Sequence, residues 1–278
     1  MTKFFLSSNI FVSLCVVALS LSSSLILEID GIYLIPFIFF STLFSYNFQR
    51  LVRYNSKAVQ WVKLDTDRKQ TLFISVLSFI PMLYYSFSLS VSSLGLIFIA
   101  SLLTLLYPIR FSFLNNRSIR ELPLLKVFLI SFVWSLVSVG LLLTESNLYE
   151  KTESIILFLS RFFFVLAITI PFDIRDLKYD HPSMLTMPQL LGIKRAKLLA
   201  LSSLTVFFIL SLNLYYTVGF SKSLLLALFI CFLVSAFLIN KSDEKKNDFF
   251  FSFWVEGLSI LMFLLLFFIP MAFDTFVL

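Results

Sequence analysis

The sequence predicts an all-α membrane protein, a bundle of nine transmembrane helices that forms a single domain over residues 1–278. Three observations predict this class: 59% of the residues are hydrophobic, only 14% are charged, and nine apolar stretches are long enough to cross a bilayer. Soluble domains carry about 25% charged residues, so the composition excludes a soluble globular enzyme, a disordered chain and a coiled coil. We therefore expect an integral, multi-pass protein, with the bacterial inner membrane as its location.

Each predicted span is close to the length that a crossing requires, about 20 residues of helix for about 30 Å of hydrocarbon. The first span follows Lys3 and contains small residues at 20–24, so a cleavable signal peptide is the alternative interpretation there. The distribution of basic residues described below fits a topology in which that span is retained. The predicted spans are residues 10–27, 33–50, 71–89, 91–107, 122–143, 154–171, 198–218, 223–239 and 249–273.

The distribution of basic residues predicts the orientation, because cytoplasmic loops carry most of the Lys and Arg. With a cytoplasmic N-terminus and an external C-terminus, 19 of the 22 basic residues face the cytoplasm and only Lys151 and Lys222 lie outside. The net charge of +6 is then a signal of topology and of contact with the lipid bilayer, not of nucleic acid. The long predicted connections, residues 50–70, 107–121 and 172–197, are all cytoplasmic, so we expect the functional face there.

Three aspartates at the cytoplasmic end of the sixth span are the strongest candidate site. Asp173, Asp176 and Asp180 have the spacing i, i+3 and i+7, which places them within about 60° of one another on a helix. Carboxylates that repel each other near a bilayer need a cation, and oxygen ligands suit Mg²⁺, which also binds phosphate oxygens. The spacing favours a Mg²⁺-bridged diphosphate site. A solvated loop neutralised by Arg175 and Lys178 is the alternative.

The second span ends in a similar pattern. Asn47, Arg50 and Tyr54 repeat the spacing i, i+3 and i+7 at the same side of the membrane. The cytoplasmic connection at residues 107–121 adds Arg117, and Lys126 lies several residues into the fifth span that follows it. These basic side chains could bind phosphate, or they could be topology signals and snorkelling residues.

Two ionisable residues lie deeper in the spans. Arg161 is about eight residues into the sixth span and Glu256 about eight residues into the ninth, counted from opposite sides. Because these depths overlap in a sequence count, we expect a structural Arg161–Glu256 ion pair. A transporter would need more polar groups than these two along a path through the midplane.

The motifs together resemble the UbiA superfamily of intramembrane prenyltransferases, which are nine-helix bundles. The segment from Arg175 to Asp180 is similar to the family's R-D-x-x-x-D motif. Thr186-Met187-Pro188 and Leu191-Gly192 resemble its T-L-P and L-G motifs, and Tyr107-Pro108 with Lys126 is similar to its third conserved loop. The resemblance covers nearly the whole chain.

The resemblance implies that a prenyl group is transferred from a prenyl diphosphate to an aromatic or lipid acceptor, with Mg²⁺ as the cofactor. It implies that Asp173, Asp176 and Asp180 are the catalytic residues and metal ligands. The substrate-binding residues that it suggests are Asn47, Arg50, Tyr54, Tyr107, Arg117, Lys126, Arg175 and Lys194.

The chain departs from the family at the first aspartate motif, N-D-x-x-D-x-x-x-D. Here Asn47 is kept, but Arg50 and Tyr54 stand where aspartates are expected. A metal clamp with carboxylates on both sides cannot form in the usual way. Either Arg50 contacts the diphosphate directly beside a single Mg²⁺, or the chain is a catalytically degenerate member that serves as a lipid-binding or scaffolding protein.

Overall fold

The helices of the computed structural model follow the predicted spans. The structure describes residues 5–6, 8–55, 68–111, 117–122, 124–149, 151–180 and 184–274. Within these residues lie α1 Ile10–Leu27, α2 Ile35–Asn55, α3 Arg68–Ser86, α4 Val91–Leu106, α5 Leu125–Glu145, α6 Thr152–Asp176, α7 Met187–Val218, α8 Lys222–Lys241 and α9, a π turn Phe250–Val255 followed by Leu258–Asp274.

Seven of these helices, α1, α2 and α5–α9, are long and apolar enough to span a membrane. The other two complete the nine: α4 is apolar but has only 16 residues, and α3 begins with Arg68 and Lys69. The predicted all-α membrane bundle is therefore confirmed for the described residues. Between α4 and α5 a minimal antiparallel pair, β1 Arg110–Phe111 and β2 Arg117–Ser118, precedes a 3₁₀ turn at Ile119–Glu121.

Local sequence signals fix where several helices begin and bend. Ser90 and Ser221 cap α4 and α8, because each hydroxyl accepts a hydrogen bond from the backbone N–H three residues later. Gly192 interrupts α7 with φ 78° and ψ 159°, a conformation that disfavours side chains. Residues 187–191 therefore form a separate turn before the long part of α7. Counted with this turn, the helix begins at Met187, well before the predicted span at 198.

Most consecutive helices pack side by side, whereas α4 packs against α2 and α5 and not closely against α3; α1 contacts both α2 and α9, which closes the bundle. The α6 helix has an unbroken buried stretch from Phe164 to Pro171. By contrast, α3 and α4 expose many large apolar side chains, as helices facing lipid do. Small serines on α1 allow close helix approach, and Ser22 and Ser23 donate to backbone carbonyls within the helix.

Arg161 is completely buried, but the predicted ion pair with Glu256 is wrong. The Arg161 Nε donates to Ser23 Oγ at 3.2 Å, and no ion pair joins Arg161 to Glu256 within the described residues. The Phe172 and Phe251 rings lie 6.2 Å apart, which fixes a common level for α6 and α9. At 1.5 Å per residue, Arg161 is roughly 16 Å deeper than this level and Glu256 roughly 8 Å deeper, so the two side chains do not meet.

We predict that Arg161→Met leaves the thermal stability unchanged or raises it. In the described part of the chain, Nη1 and Nη2 of Arg161 have no hydrogen-bond partner, so the wild type bears the cost of a buried charge that is incompletely compensated. The measurement is the melting temperature of the detergent-solubilised protein, with exposed Arg195→Met as the matched control. A melting temperature several degrees lower in Arg161→Met alone would contradict this prediction.

Candidate functional site

A lysine lies among three aspartates at one end of the bundle. The Lys126 Nζ is 2.7 Å from Asp173 Oδ1, 3.3 Å from Asp176 Oδ2 and 3.8 Å from Asp180 Oδ2. All four side chains are buried, with less than a tenth of each exposed. Carboxylates and an ammonium can be buried together because each charge is answered at short range. We call these four residues the aspartate–lysine cluster.

The cluster depends on the chain geometry after α6. The backbone N–H groups of Tyr179 and Asp180 both donate to the Asp176 carbonyl at 2.8 Å, so the turn keeps Asp180 beside the helix end. Gln189, in the first turn of α7, donates from Nε2 to the Asp180 carbonyl and accepts from the Thr186 N–H. The Thr186-Met187-Pro188 segment thus begins α7 and holds the aspartate turn in place.

Arg175 adds a second cation. Its Nε donates to Asp176 Oδ1 at 2.8 Å, and its guanidinium lies 5.0 Å from the centre of the Phe172 ring. Among the described residues, three carboxylates and two cations thus meet at this end of the bundle. The two basic side chains can at the same time face an anion.

The described residues contain no ready-made group of three Asp, Glu, His or Cys side chains for a metal ion. The three carboxylates instead converge on the Lys126 ammonium, so their common point already holds a cation. The donor set is all oxygen, which suits a hard cation such as Mg²⁺. A metal at this point would require the ammonium to move aside, which the flexible lysine stem allows.

A cavity of about 360 Å³ begins at the cluster and extends into the bundle. Lys126, Arg175 and Asp176 line its charged end. From Lys126 the wall continues along α5 through Leu129, Val133, Val137 and Leu141, four apolar residues at helical spacing. This apolar stripe extends roughly 20 Å from the charged end, at 1.5 Å per residue.

Helices α2 and α4 add polar groups to the lining of the cavity. On α2 these include Ser41, Ser45 and Gln49, and on α4 they include Ser101 and Thr104, beside apolar residues such as Leu96, Ile97 and Leu103. Gln49 Nε2 donates to the Thr104 carbonyl at 3.3 Å and so joins the two helices. The cavity therefore combines an aliphatic stripe on α5 with a mixed lining on α2 and α4.

The substrate-binding residues suggested by the sequence have different locations. Lys126, Arg175 and Tyr107 line the cavity, and Tyr107 is buried there. Arg50 is buried near the same end but is not among the residues that line the cavity. Lys194 is exposed on α7 and does not line the cavity either. The side chains of Tyr54 and Arg117 lie outside the described residues.

Asn47 is completely buried in a hydrogen-bond network that joins α2 to the start of α1. Its Nδ2 donates to the carbonyls of Ser8 and Leu43, at 3.1 and 2.8 Å, and its Oδ1 accepts from Asn9 Nδ2 at 3.1 Å. The side-chain amide of Asn47 therefore holds α2 against the start of α1. It does not line the cavity, whereas its neighbour Tyr46 does.

Sequence reasoning missed several polar cavity residues, and helical spacing could have found some of them. On α2, Ser41, Ser45 and Gln49 follow one another at intervals of four residues, and Tyr46 is next to Ser45 on the same side of the helix. On α9, Ser252 and Glu256 are four residues apart and both line the cavity. The sequence analysis assigned Glu256 to an ion pair with Arg161 and so did not predict it at this site.

Solved structures with the same fold are UbiA homologues. The UbiA homologue from Archaeoglobus fulgidus bound to GPP and Mg²⁺ has a TM-score of 0.66 at 12% identity, over 96% of this chain and 99% of that one. The apo structure of a UbiA homologue from Aeropyrum pernix K1 has a TM-score of 0.64 at 13% identity, over 96% and 98%. A structure from work on digeranylgeranylglyceryl phosphate synthase in membranes has a TM-score of 0.61 at 17% identity, over 98% and 100%.

No protein-family model matches the chain, and no curated protein sequence is significantly similar to it. The similarity is therefore one of fold, and it extends over nearly the full length of each chain compared. The UbiA-type bundle that the motifs suggested is confirmed.

We predict that Lys126→Met lowers the stability by about 3–5 kcal/mol, because it leaves buried carboxylates without their cation. Added Mg²⁺ should restore part of the loss, since the oxygen atoms then have another cation. Thermal unfolding with and without Mg²⁺ measures both effects, and exposed Lys194→Met is the control. Equal melting temperatures for Lys126→Met and wild type would show that the ammonium does not stabilise the cluster.

We predict that Asn47→Ala lowers the stability by about 1–3 kcal/mol, because the Ser8 carbonyl and the Asn9 amide lose their partner. Thermal unfolding is again the measurement, and exposed Asn213→Ala is the matched control. If Asn47→Ala instead kept its melting temperature and lost only ligand affinity, the residue would be a substrate contact, as the sequence suggested.

Proposed function

We propose that this protein is a membrane prenyltransferase that transfers a prenyl group from a prenyl diphosphate to a hydrophobic acceptor, aromatic or lipid. The observation that carries the proposal is the aspartate–lysine cluster at the charged end of a long apolar cavity. Prenyl diphosphates have the same asymmetry, with a polyanion at one end and a hydrocarbon chain at the other. The fold shared with UbiA homologues supports the proposal.

The charged end would bind the diphosphate. Lys126 supplies a compact ammonium, and Arg175 supplies a planar fork suited to phosphate oxygens. The apolar stripe of α5, with Val165 and Ile168 of α6, would receive the prenyl chain. Because these walls exclude water, the allylic carbon would be kept from hydrolysis until an acceptor is present.

Mg²⁺ is the proposed cofactor. Asp173, Asp176 and Asp180 would hold it, because their oxygen donors converge on a point that accepts a cation. When bound, Mg²⁺ would neutralise charge on the departing diphosphate. UbiA homologue structures bound to GPP and Mg²⁺, and to DMAPP and Mg²⁺, support this choice.

The metal site would have carboxylates on one side only. Across the cavity, α2 contributes Tyr46 and Gln49 and no carboxylate. Lys126 therefore has a proposed double role, neutralising the aspartates and facing the diphosphate. Arg50 stays a predicted substrate contact, although the cavity wall does not include it.

A second candidate function is that of a lipid-binding or scaffolding relative without catalysis. The observation that favours it is the Lys126 ammonium at the point where the three carboxylates meet, together with the lack of a ready-made metal group in the described residues. In this case the cluster would be a structural ion network, and substitutions in it would change stability without changing ligand binding.

The location of the site relative to the membrane rests on the sequence. The charge asymmetry supports a cytoplasmic site, a cytoplasmic N-terminus and an external C-terminus. The seven long apolar helices support an integral membrane protein. The bacterial inner membrane stays our proposal for its location.

We predict that purified protein binds geranyl diphosphate only when Mg²⁺ is present, and that Asp176→Asn reduces the affinity at least ten-fold. The carboxylate of Asp176 contacts Lys126 and Arg175, so its neutralisation removes a cation ligand and disturbs both basic groups. Isothermal titration in detergent measures the binding, and exposed Glu244→Gln is the control. Folded wild-type protein that binds no geranyl diphosphate, with or without Mg²⁺, would favour the scaffolding function.

A further inference from the structure

Glu256 is a half-buried acid that the proposed diphosphate chemistry does not use. It lies on the cavity wall in α9. Within the described residues its carboxyl forms no ion pair and no side-chain hydrogen bond, although Arg175 is near enough to attract it. A carboxyl within a membrane span is costly unless it serves a function. Its position against the cavity indicates that its missing partner is a ligand.

The backbone at Glu256 supports this interpretation. Residues Phe250–Val255 form a π turn, closed by the Glu256 N–H donating to the Phe251 carbonyl at 3.1 Å. Such turns are rare and occur frequently at functional sites. The next residue is Gly257, where a Cβ atom would lie 2.3 Å from the Phe253 carbonyl oxygen. The glycine therefore permits the turn that sets the direction of Glu256.

Tyr46 supplies a complementary group on the facing helix α2. Its hydroxyl oxygen accepts a hydrogen bond from Trp134 Nε1 at 2.9 Å. The Tyr46 proton is therefore free to be donated elsewhere, and Tyr46 also lines the cavity. Glu256 is close enough to Tyr46 for the two groups to influence each other electrostatically.

A ligand hydroxyl needs one acceptor for its proton and one donor for its lone pairs. Glu256 and Tyr46 offer this combination from α9 and α2, which line the same cavity. We propose that Glu256 and Tyr46 bind the hydroxyl group of the prenyl acceptor, so that the acceptor is an alcohol or a phenol. This inference rests on the proposed transferase function and assigns its second substrate to a chemical class.

The pair also provides for the proton that the transfer releases. The allylic C1–O bond of the prenyl diphosphate breaks, and its electron pair leaves with the diphosphate. The acceptor oxygen forms the new bond to C1, giving an ether, while its proton passes to the Glu256 carboxylate. Tyr46 donates to the same oxygen and orients it. Glu256 is then the catalytic base and Tyr46 a group that binds the acceptor.

The first experiment measures recognition of a hydroxyl group without any turnover. Two probes differ only by that group, para-trifluoromethylbenzyl alcohol and para-trifluoromethyltoluene, and fluorine NMR follows their binding to the full-length protein in nanodiscs. We expect wild type to prefer the alcohol roughly ten-fold or more, as a hydrogen bond to a charged group allows. Glu256→Leu should abolish the preference, Tyr46→Phe should reduce it, and Glu244→Gln should keep it.

The second experiment separates binding from proton transfer. Glu256→Gln keeps a hydrogen-bond acceptor but cannot take a proton, so it should retain part of the preference for the alcohol. With geranyl diphosphate, Mg²⁺ and the alcohol probe, we expect the Glu256→Gln variant to form the geranyl ether roughly 100-fold more slowly than wild type. This is the typical contribution of a general base. Its affinity for geranyl diphosphate should be unchanged.

The outcomes are distinguishable. Equal binding of the two probes to wild type, or a preference for the alcohol that survives in folded Glu256→Leu, would overturn the hydroxyl site. Equal ether formation by wild type and Glu256→Gln, or none by wild type with both ligands bound, would overturn the transfer step. If wild type prefers the alcohol but binds no geranyl diphosphate, the hydroxyl site stands and the transferase function fails.

Discussion

The contact of one ammonium with three carboxylates is the constraint on which the rest of this site depends. Three aspartates gathered at the end of α6 would repel each other and could not be buried at the end of a membrane bundle alone. Lys126 places a positive charge among them, and in doing so it joins the start of α5 to the end of α6. Gln189 then ties the following turn to α7. The charged end of the cavity exists because these elements are held together by charge.

The cavity that starts there has two different walls, and each follows from the sequence of its helices. On α5 the residues facing the cavity are Leu and Val at intervals of four, which suits a hydrocarbon chain. On α2 and α4 the lining is mixed, because serine, threonine, tyrosine and glutamine side chains lie beside Phe37, Leu96, Ile97, Ala100 and Leu103. A cavity of this kind can hold an isoprenoid chain along α5 and still offer polar groups on α2 and α4 to a second molecule.

Arg161 and Glu256 illustrate how differently two intramembrane charges can be accommodated. Arg161 is enclosed by protein, and among the described residues its only hydrogen-bond partner is the Ser23 hydroxyl. Glu256 follows a π turn and faces the cavity, where a ligand can reach it. The first arrangement is a cost to stability and the second is a candidate for function. The difference between the two residues is access to the cavity, which Glu256 has and Arg161 does not.

The sequence by itself determined the properties that depend on local periodicity and on composition. In the described part of the chain, the nine helices, their order and the shared face of Asp173 and Asp176 could be predicted, because hydrophobic runs and a 3.6-residue repeat belong to each helix alone. Asp180 was predicted on the same helix face, but α6 ends at Asp176 and a turn brings Asp180 to the cluster. Only the tertiary structure decided that Lys126 reaches those aspartates, that Asn47 packs against the start of α1, and that Glu256 faces the cavity and not Arg161. These contacts depend on the level at which each helix sits against its neighbours. Helix lengths, the break at Gly192 and the π turn of α9 set that level, and no single span contains the information.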